Sequence, residues 1–290
     1  MDYCVRHRTT YRYMQDVSHS RHLVHLAPRE TATQERKAFR LLISPGSAVQ
    51  TSRTDFFGNP IEWLALHEPH SIFDIVAESR VSTCEPPERD PDGSMPWEDT
   101  HALLESMEAE THEAVQYMFD SVLTTFTVDL PAYARESFTP GRPVLAGAID
   151  LMSRIHADFR YDTTVTDTST PVDRVFEMRA GVCQDLAHVG IAMMRSLGLP
   201  ARYVSGYLLT QPPPGQERLV GADASHAWFS VWAPPYGWVD LDPTNDVIPG
   251  EGHITVAWGR DYWDVAPVSG IVTGGGDHLI EVGVDVVPIP

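Results

Sequence analysis

Lysine is almost missing from this chain. Lys37 is the only one, so nearly all the positive charge is arginine, and 21 Lys+Arg face 40 Asp+Glu for a formal net charge of -19. A surface this acidic repels phosphates and anionic headgroups, which counts against nucleic acid or a membrane surface as partner. Cysteine is also scarce. Cys4, Cys84 and Cys183 are odd in number, widely spaced and without a C-x-x-C pair, which excludes a disulfide framework and a cysteine-rich zinc site. No apolar run approaches the roughly 18 residues of a membrane-crossing helix. The opening Met1-Asp2-Tyr3-Cys4-Val5-Arg6-His7-Arg8 lacks the apolar stretch of a secretory signal, so the expected location is cytoplasmic. Core-forming residues are plentiful: 42% of the 290 residues are hydrophobic and 9% aromatic, enough for a packed interior and for two domains.

Period-two alternation dominates up to about Thr83. Tyr3 to Tyr13, Ala38 to Ile43, Ile61 to Leu66 and Phe73 to Val81 read as strands, with a turn at Asp55-Phe56-Phe57-Gly58-Asn59-Pro60. Short strands at this spacing predict an antiparallel β-sandwich domain over residues 1–90, and the Pro- and acid-rich Glu85 to Gly93 reads as a linker. Residues 91–290 form the second region. It opens with helical patterns over Thr100 to Met118 and Val144 to Phe159. Thr170-Pro171-Val172-Asp173 offers a cap for a short helix that stops near Gly181, and another helix runs from Cys183 to Gly198. Ala201 to Leu209, Ala224 to Trp232 and Trp238 to Asp242 read as strands, with a Pro-rich loop at Gln211 to Gly215. Helices followed by strands make the class α+β.

Cys4 and Cys84 lie in strand-like stretches and read as small buried hydrophobes. Cys183 is different. It begins a helix, where unpaired N–H groups and the dipole favour a thiolate and where backbone N–H groups can donate to an oxyanion. A thiol nucleophile needs a base and the base an orienting acid. His226, in Ser225-His226-Ala227-Trp228, and Asp242, in Leu241-Asp242-Pro243-Thr244, lie on two strands joined by a short turn that can set them side by side. Asp240 is expected to face the other way, toward solvent.

Gly181-Val182-Cys183-Gln184-Asp185, Ser225-His226-Ala227-Trp228 and Gly237-Trp238-x-x-Leu241-Asp242-Pro243-Thr244 resemble the core of the transglutaminase-like superfamily. His7-x-Thr9-x-Tyr11-x-Tyr13, Leu26-x-Pro28-Arg29 and Asp55-x-Phe57-Gly58-Asn59 are similar to the N-terminal sandwich of its bacterial members, and Gly259-Arg260-Asp261-Tyr262 with the final strand resembles their C-terminal β tail. The resemblance implies a papain-like core, helices packed on an antiparallel sheet, with Cys183, His226 and Asp242 as the catalytic triad of a thiol-dependent amide hydrolase or acyltransferase. It implies a peptide or protein substrate and a thioester intermediate, and leaves hydrolysis against transamidation open. Cys183 N–H is one oxyanion donor; Tyr161 and Gln184 are candidates for a second, and Trp228 for a wall of the cleft. No acidic loop suggests calcium, so no metal or other cofactor is expected. A fold retained as a non-catalytic peptide-binding or assembly module is the alternative, and oligomeric state is left open. His19, His22 and His25 are expected at the solvated surface, and Gly274-Gly275-Gly276, with no lysine and helix after it, is expected to be a hairpin turn and not a phosphate cradle.

Overall fold

The computed structural model describes residues 1–46, 48–106, 111–125, 129–210 and 225–289. The Pro-rich stretch of residues 211–215 lies outside them. Strand β1 (Asp2–Val24) organises the first region. Its alternation buries Tyr3, Val5, His7 and Thr9 and exposes Asp2, Arg6 and Arg8. Over its first half β1 pairs with β5 (His70–Thr83), and over its second half with β4 (Pro60–Leu66). β2 (Gln34–Ser44) lies beyond β5 and β3 (Val49–Thr54) beyond β4. The β1–β5 register shifts between Arg12 and Val17, where β1 changes partners. The antiparallel sandwich expected from the alternation is thus one seven-stranded sheet curled on itself, and its two halves share an apolar cluster that includes Tyr13, Val17, Leu64, Leu66, Phe73 and Ile75.

The remaining two strands of that sheet come from the other end of the chain. β12 (Val268–Gly274) and β13 (His278–Ile289) run antiparallel to β1, from Tyr13 opposite His278 to Asp2 opposite Ile289. The tail that the sequence groups with the second region therefore completes the first. Alternation marks a strand but says nothing of its partner. The turn between them is the expected glycine hairpin: Gly274, Gly275 and Gly276 take φ of 93°, 85° and 61°, a run that side chains resist.

Between these strands sits the helical core. The single helix expected over Thr100 to Met118 is divided into α1 (Trp97–Glu105), which closes at a Ser106 cap, and α2 (His112–Val115). α3 (Asp129–Ser137) went unread, although Leu130, Ala134 and Phe138 recur at helical spacing and are all buried. α4 (Val144–Asp158) follows the expected span. A short strand β6 (Arg160–Tyr161) leads on to α5 (Val172–Met178), whose N-cap is Pro171 and not Thr170. The Thr170 hydroxyl instead accepts from Asp167 N–H at 2.9 Å, closing the preceding turn. Arg179 ends α5 at φ 50°, a left-handed geometry that costs a non-glycine residue about 1–2 kcal/mol. Its guanidinium lies 3.9 Å over Phe176 and 4.8 Å over Phe159, contacts that offset the strain.

β7 (Ala180–Gly181) pairs with β6 and delivers the chain to α6 (Cys183–Ser196). This helix lies on a four-stranded antiparallel sheet ordered β10 (Trp238–Leu241), β9 (Ser225–Trp232), β8 (Ala201–Leu208) and β11 (His253–Gly259). One apolar cluster joins α3, α4 and α6 with Tyr203, Phe229, Val231 and Ile254 of the sheet. Tyr3, Val5, Val284 and Val286 of the curled sheet belong to the same cluster, so the two regions share one interior. His22 and His25 are buried within the N-terminal region, a correction to their expected solvation. His22 stacks on Phe73 at 4.3 Å, and His25 reaches Asp55 at 3.3 Å and the Ala266 carbonyl at 3.2 Å. Only His19 of the three is exposed. Among the described residues, no helix is long and apolar enough to cross a membrane.

Candidate active site

Cys183 is the first residue of α6, partly buried. The turn that presents it is locked by Asp185, whose Oδ2 accepts from Val182 N–H at 2.8 Å and from the Thr166 hydroxyl at 2.6 Å. Burial pushes the Asp185 carboxyl up, against those hydrogen bonds. Gly181 is required beside it, because a Cβ there would stand 2.7 Å from Asp185 Cβ.

β9 brings His226 to the start of that helix. His226 Nε2 lies 2.7 Å from Asp242 Oδ2. An ionised carboxylate only accepts, so Nε2 carries a proton and Nδ1 is the nitrogen left for the neighbouring Cys183. Burial pulls the imidazolium down, but the hydrogen bonds to Asp242 and Cys183 and their charges outweigh it and push the ring up to about 10. Asp242 is fully buried, immediately after β10. Burial raises its carboxyl, and hydrogen bonds from His226, His253 and Asn245 more than reverse this, holding it well below the usual carboxylate range.

The sequence therefore brings together Cys183, His226 and Asp242, and two further residues escaped it. Asn245 Nδ2 donates to Asp242 Oδ2 at 2.7 Å, and His253 Nε2 sits 3.1 Å from the same oxygen. Asn245 carried a signal, since it continues the Asp242-Pro243-Thr244 turn; the backbone N–H groups of Thr244 and Asn245 both point at Asp242 Oδ1. His253 had none, because β11 meets Asp242 only in the folded chain. The ligand atoms of His226, Asp242 and His253 all lie within 4.8 Å of one another, the one group among the described residues that could hold a metal ion. Both histidines, however, donate Nε2–H to the carboxylate in this arrangement, and a metal would have to displace both protons.

The remaining candidates separate. Tyr161, at the end of β6, is exposed; partial burial and the neighbouring Cys183 and Asp185 push its hydroxyl up. Gln184 directs its amide away, donating to the Thr168 carbonyl at 3.2 Å. Trp228 is wholly buried, 6.0 Å from the His226 ring, and so forms the floor beneath the histidine, not a wall open to substrate. Asp240 is not a solvent residue. Positions two apart in a strand share a face, so the expectation of opposite faces inverted the rule, and Asp240 accepts from Trp228 Nε1 at 3.1 Å.

The chain matches the model of the bacterial transglutaminase-like N-terminal region over residues 3–82 and that of the transglutaminase-like superfamily over residues 131–243. An uncharacterized protein of Mycobacterium tuberculosis is 40% identical over 296 residues, covering 99% of this chain and 92% of its own. A protein-glutamine gamma-glutamyltransferase of Pseudomonas aeruginosa is 36% identical over 99 residues, covering 32% of this chain and 14% of its own. In fold, a candidate cysteine protease from Cytophaga hutchinsonii superposes with a TM-score of 0.75 at 21% identity, over 100% of this chain and 92% of that one. Matched over residues 3–82 and 131–243 by these two models, and along nearly its whole length by the mycobacterial relative, the chain belongs to the transglutaminase-like superfamily.

Proposed function

We propose that the protein is a thiol-dependent amide hydrolase or acyltransferase acting on peptide or protein amides, with Cys183 as nucleophile, His226 as base and acid, and Asp242 as the orienting carboxylate. One observation carries this reading: His226 is held between a buried carboxylate and the thiol at a helix start, with its tautomer fixed. In the first half-reaction the proton shared between Cys183 and His226 Nδ1 rests on the imidazole, and the Cys183 sulfur attacks the amide carbon. The oxyanion takes the Cys183 backbone N–H and the Tyr161 hydroxyl as donors. Collapse breaks the C–N bond, His226 protonates the departing amine, and a thioester remains. Water or a second amine then attacks, passes its proton to His226, and frees Cys183 as the acid or the new amide forms. Tyr161 is preferred over Gln184 because Gln184 is already committed to Thr168.

The test incubates wild type and Cys183→Ala with a glutamine-containing peptide library, with and without a primary amine, and reads products by mass spectrometry. Wild type is expected to give deamidated, cleaved or amine-modified peptides that Cys183→Ala does not. Equal product from both would refute the reading.

A further inference from the structure

His253 has no place in the triad just described, yet it reaches the same carboxylate oxygen as His226. It opens β11, the edge strand of the core sheet, which among the described residues pairs only with β8. The free edge of such a strand is a row of unpaired N–H and C=O groups. Here the N-terminal region covers it with two side-chain amides that act as short stretches of strand. Gln34 Nε2 donates to the Thr255 carbonyl at 2.7 Å while its Oε1 accepts from Thr255 N–H at 2.9 Å. Asn59 does the same at Trp258, donating at 2.8 Å and accepting at 3.0 Å. Asn59 is itself set by Asp55, and the Trp258 ring stacks under Arg29 at 3.5 Å. Just before β11, Thr83 Oγ1 donates to the Glu251 carbonyl at 2.7 Å, and His253 N–H donates to Gly250. The His253 ring then stands edge-on to Trp228, 5.3 Å away at 84°.

Resting on the proposed thiol chemistry, we infer that His253 is a positioning residue, and that the N-terminal sheet holds it, through Gln34 and Asn59 on β11, so that its Nε2–H fixes the Asp242 carboxylate for His226. Asp242 Oδ2 has three N–H donors, and His253 is the one delivered from outside the β9–β10 hairpin and its turn. It is the route by which the first eighty or so residues reach the site. The titratable groups around that oxygen are His226 from β9 and His253 from β11, with Cys183 beyond His226 and Asp240 engaged by Trp228.

The reference thiol is an added one, because Cys84, exposed and not buried as its strand-like setting suggested, follows Thr83 and borders the same cavity as Gln34 and His253. Full-length protein is labelled with limiting iodoacetamide near pH 6 beside an added unstructured peptide with one cysteine, and the rate at Cys183 is expressed relative to that of this reference peptide by mass spectrometry. Wild type is expected to favour Cys183 by at least about tenfold. His253→Leu should lower that ratio about tenfold, the usual scale for losing a hydrogen bond to a charged group, and His253→Gln, which keeps an N–H donor, should recover to within about threefold of wild type. Gln34→Glu keeps the acceptor for Thr255 N–H but loses the donor, and should lower the ratio severalfold without touching the triad. NMR titration of His226 distinguishes positioning from general loosening. With His253 gone the full Asp242 charge falls on His226 and its titration moves up, whereas loosening moves it down toward 6.5. Unchanged ratios in both His253→Leu and Gln34→Glu would overturn the inference and leave the triad standing. A wild-type ratio near one would overturn the nucleophile itself, and this inference with it.

Discussion

Asp242→Asn alters a single atom but no orientation of the new amide satisfies the site. Oδ1 of Asp242 accepts two backbone N–H groups and Oδ2 accepts three side-chain donors. If the amide nitrogen replaces Oδ2, it confronts His226, His253 and Asn245. The His226 ring must then shift its proton to Nδ1, the nitrogen needed to receive the thiol proton. If the amide is turned over, two backbone N–H groups are stranded instead. Each buried donor left unpaired costs roughly 1–3 kcal/mol. The His226 titration gives a second measure. Its rise from 6.5 to about 10 is worth roughly 4–5 kcal/mol at about 1.4 kcal/mol per pH unit, shared between Asp242 and Cys183. A loss of about 2–4 kcal/mol, or roughly 3–7 °C in Tm for a chain of this size, is therefore expected. The sign with pH is fixed by the two partners. A raised histidine contributes fully below 6.5 and loses its contribution as pH climbs toward 10, while a depressed carboxylate contributes above its ordinary 3.8 and loses it as pH falls. The pair is thus strongest between about pH 4 and 6.5. Calorimetry of both proteins across pH 5 to 10 should show the largest Tm gap at the acid end, narrowing as pH rises. A gap that widens in alkali, or no gap at all, would refute the ion-pair account.

Three other substitutions probe separate parts of the fold. Gly206→Ala should destabilise by at least about 2–3 kcal/mol in chemical unfolding, because the new Cβ would stand 2.2 Å from the Ile254 carbonyl and 2.5 Å from the Trp228 ring, forcing β8 and β11 apart. Phe229→Ala, at a fully buried ring against which α6 lies, should cost about 3–5 kcal/mol by the same measurement. Tyr161→Phe removes only an exposed hydroxyl, so Tm should hold within a degree or so; kcat on an amide substrate should fall about tenfold or more with KM little changed, and an unaltered kcat would remove Tyr161 from the oxyanion site.

Cys183, His226 and Asp242 were legible as candidates because each sits in a short, local signal: a helix start at Cys183, and a strand–turn–strand pair carrying His226 and Asp242. The outer motifs were legible as likeness but not as physics. His7-x-Thr9 is an alternating pair on the inward face of β1, where the His7 ring meets the Tyr207 hydroxyl at 3.0 Å, and burial alone pulls that histidine down to about 4. Asp55-x-Phe57-Gly58-Asn59 is a turn built to aim one amide at the Trp258 backbone. Neither partner is visible from the motif, because each lies about two hundred residues along the chain. The same limit hid His253, the pairing of β13 with β1, and the burial of His22 and His25. α3 is another matter: its Leu130, Ala134 and Phe138 spacing was present and passed over.

What the long-range contacts share is direction. Gln34, Asn59 and Thr83 each send a side chain to the backbone of β11 or the loop before it, and Arg29 adds a cation over Trp258. Tyr3 and Val5 join the apolar cluster that holds Ile254, and β13 fastens β1 from the far end of the sequence. An edge strand covered only by water would leave His253 free to swing; covered this way, it is held by neutral amides that neither titrate nor compete for the Asp242 charge. The curled sheet is thus an integral part of the core's architecture, and β11, which carries His253 to the Asp242 carboxylate, is where the two regions meet.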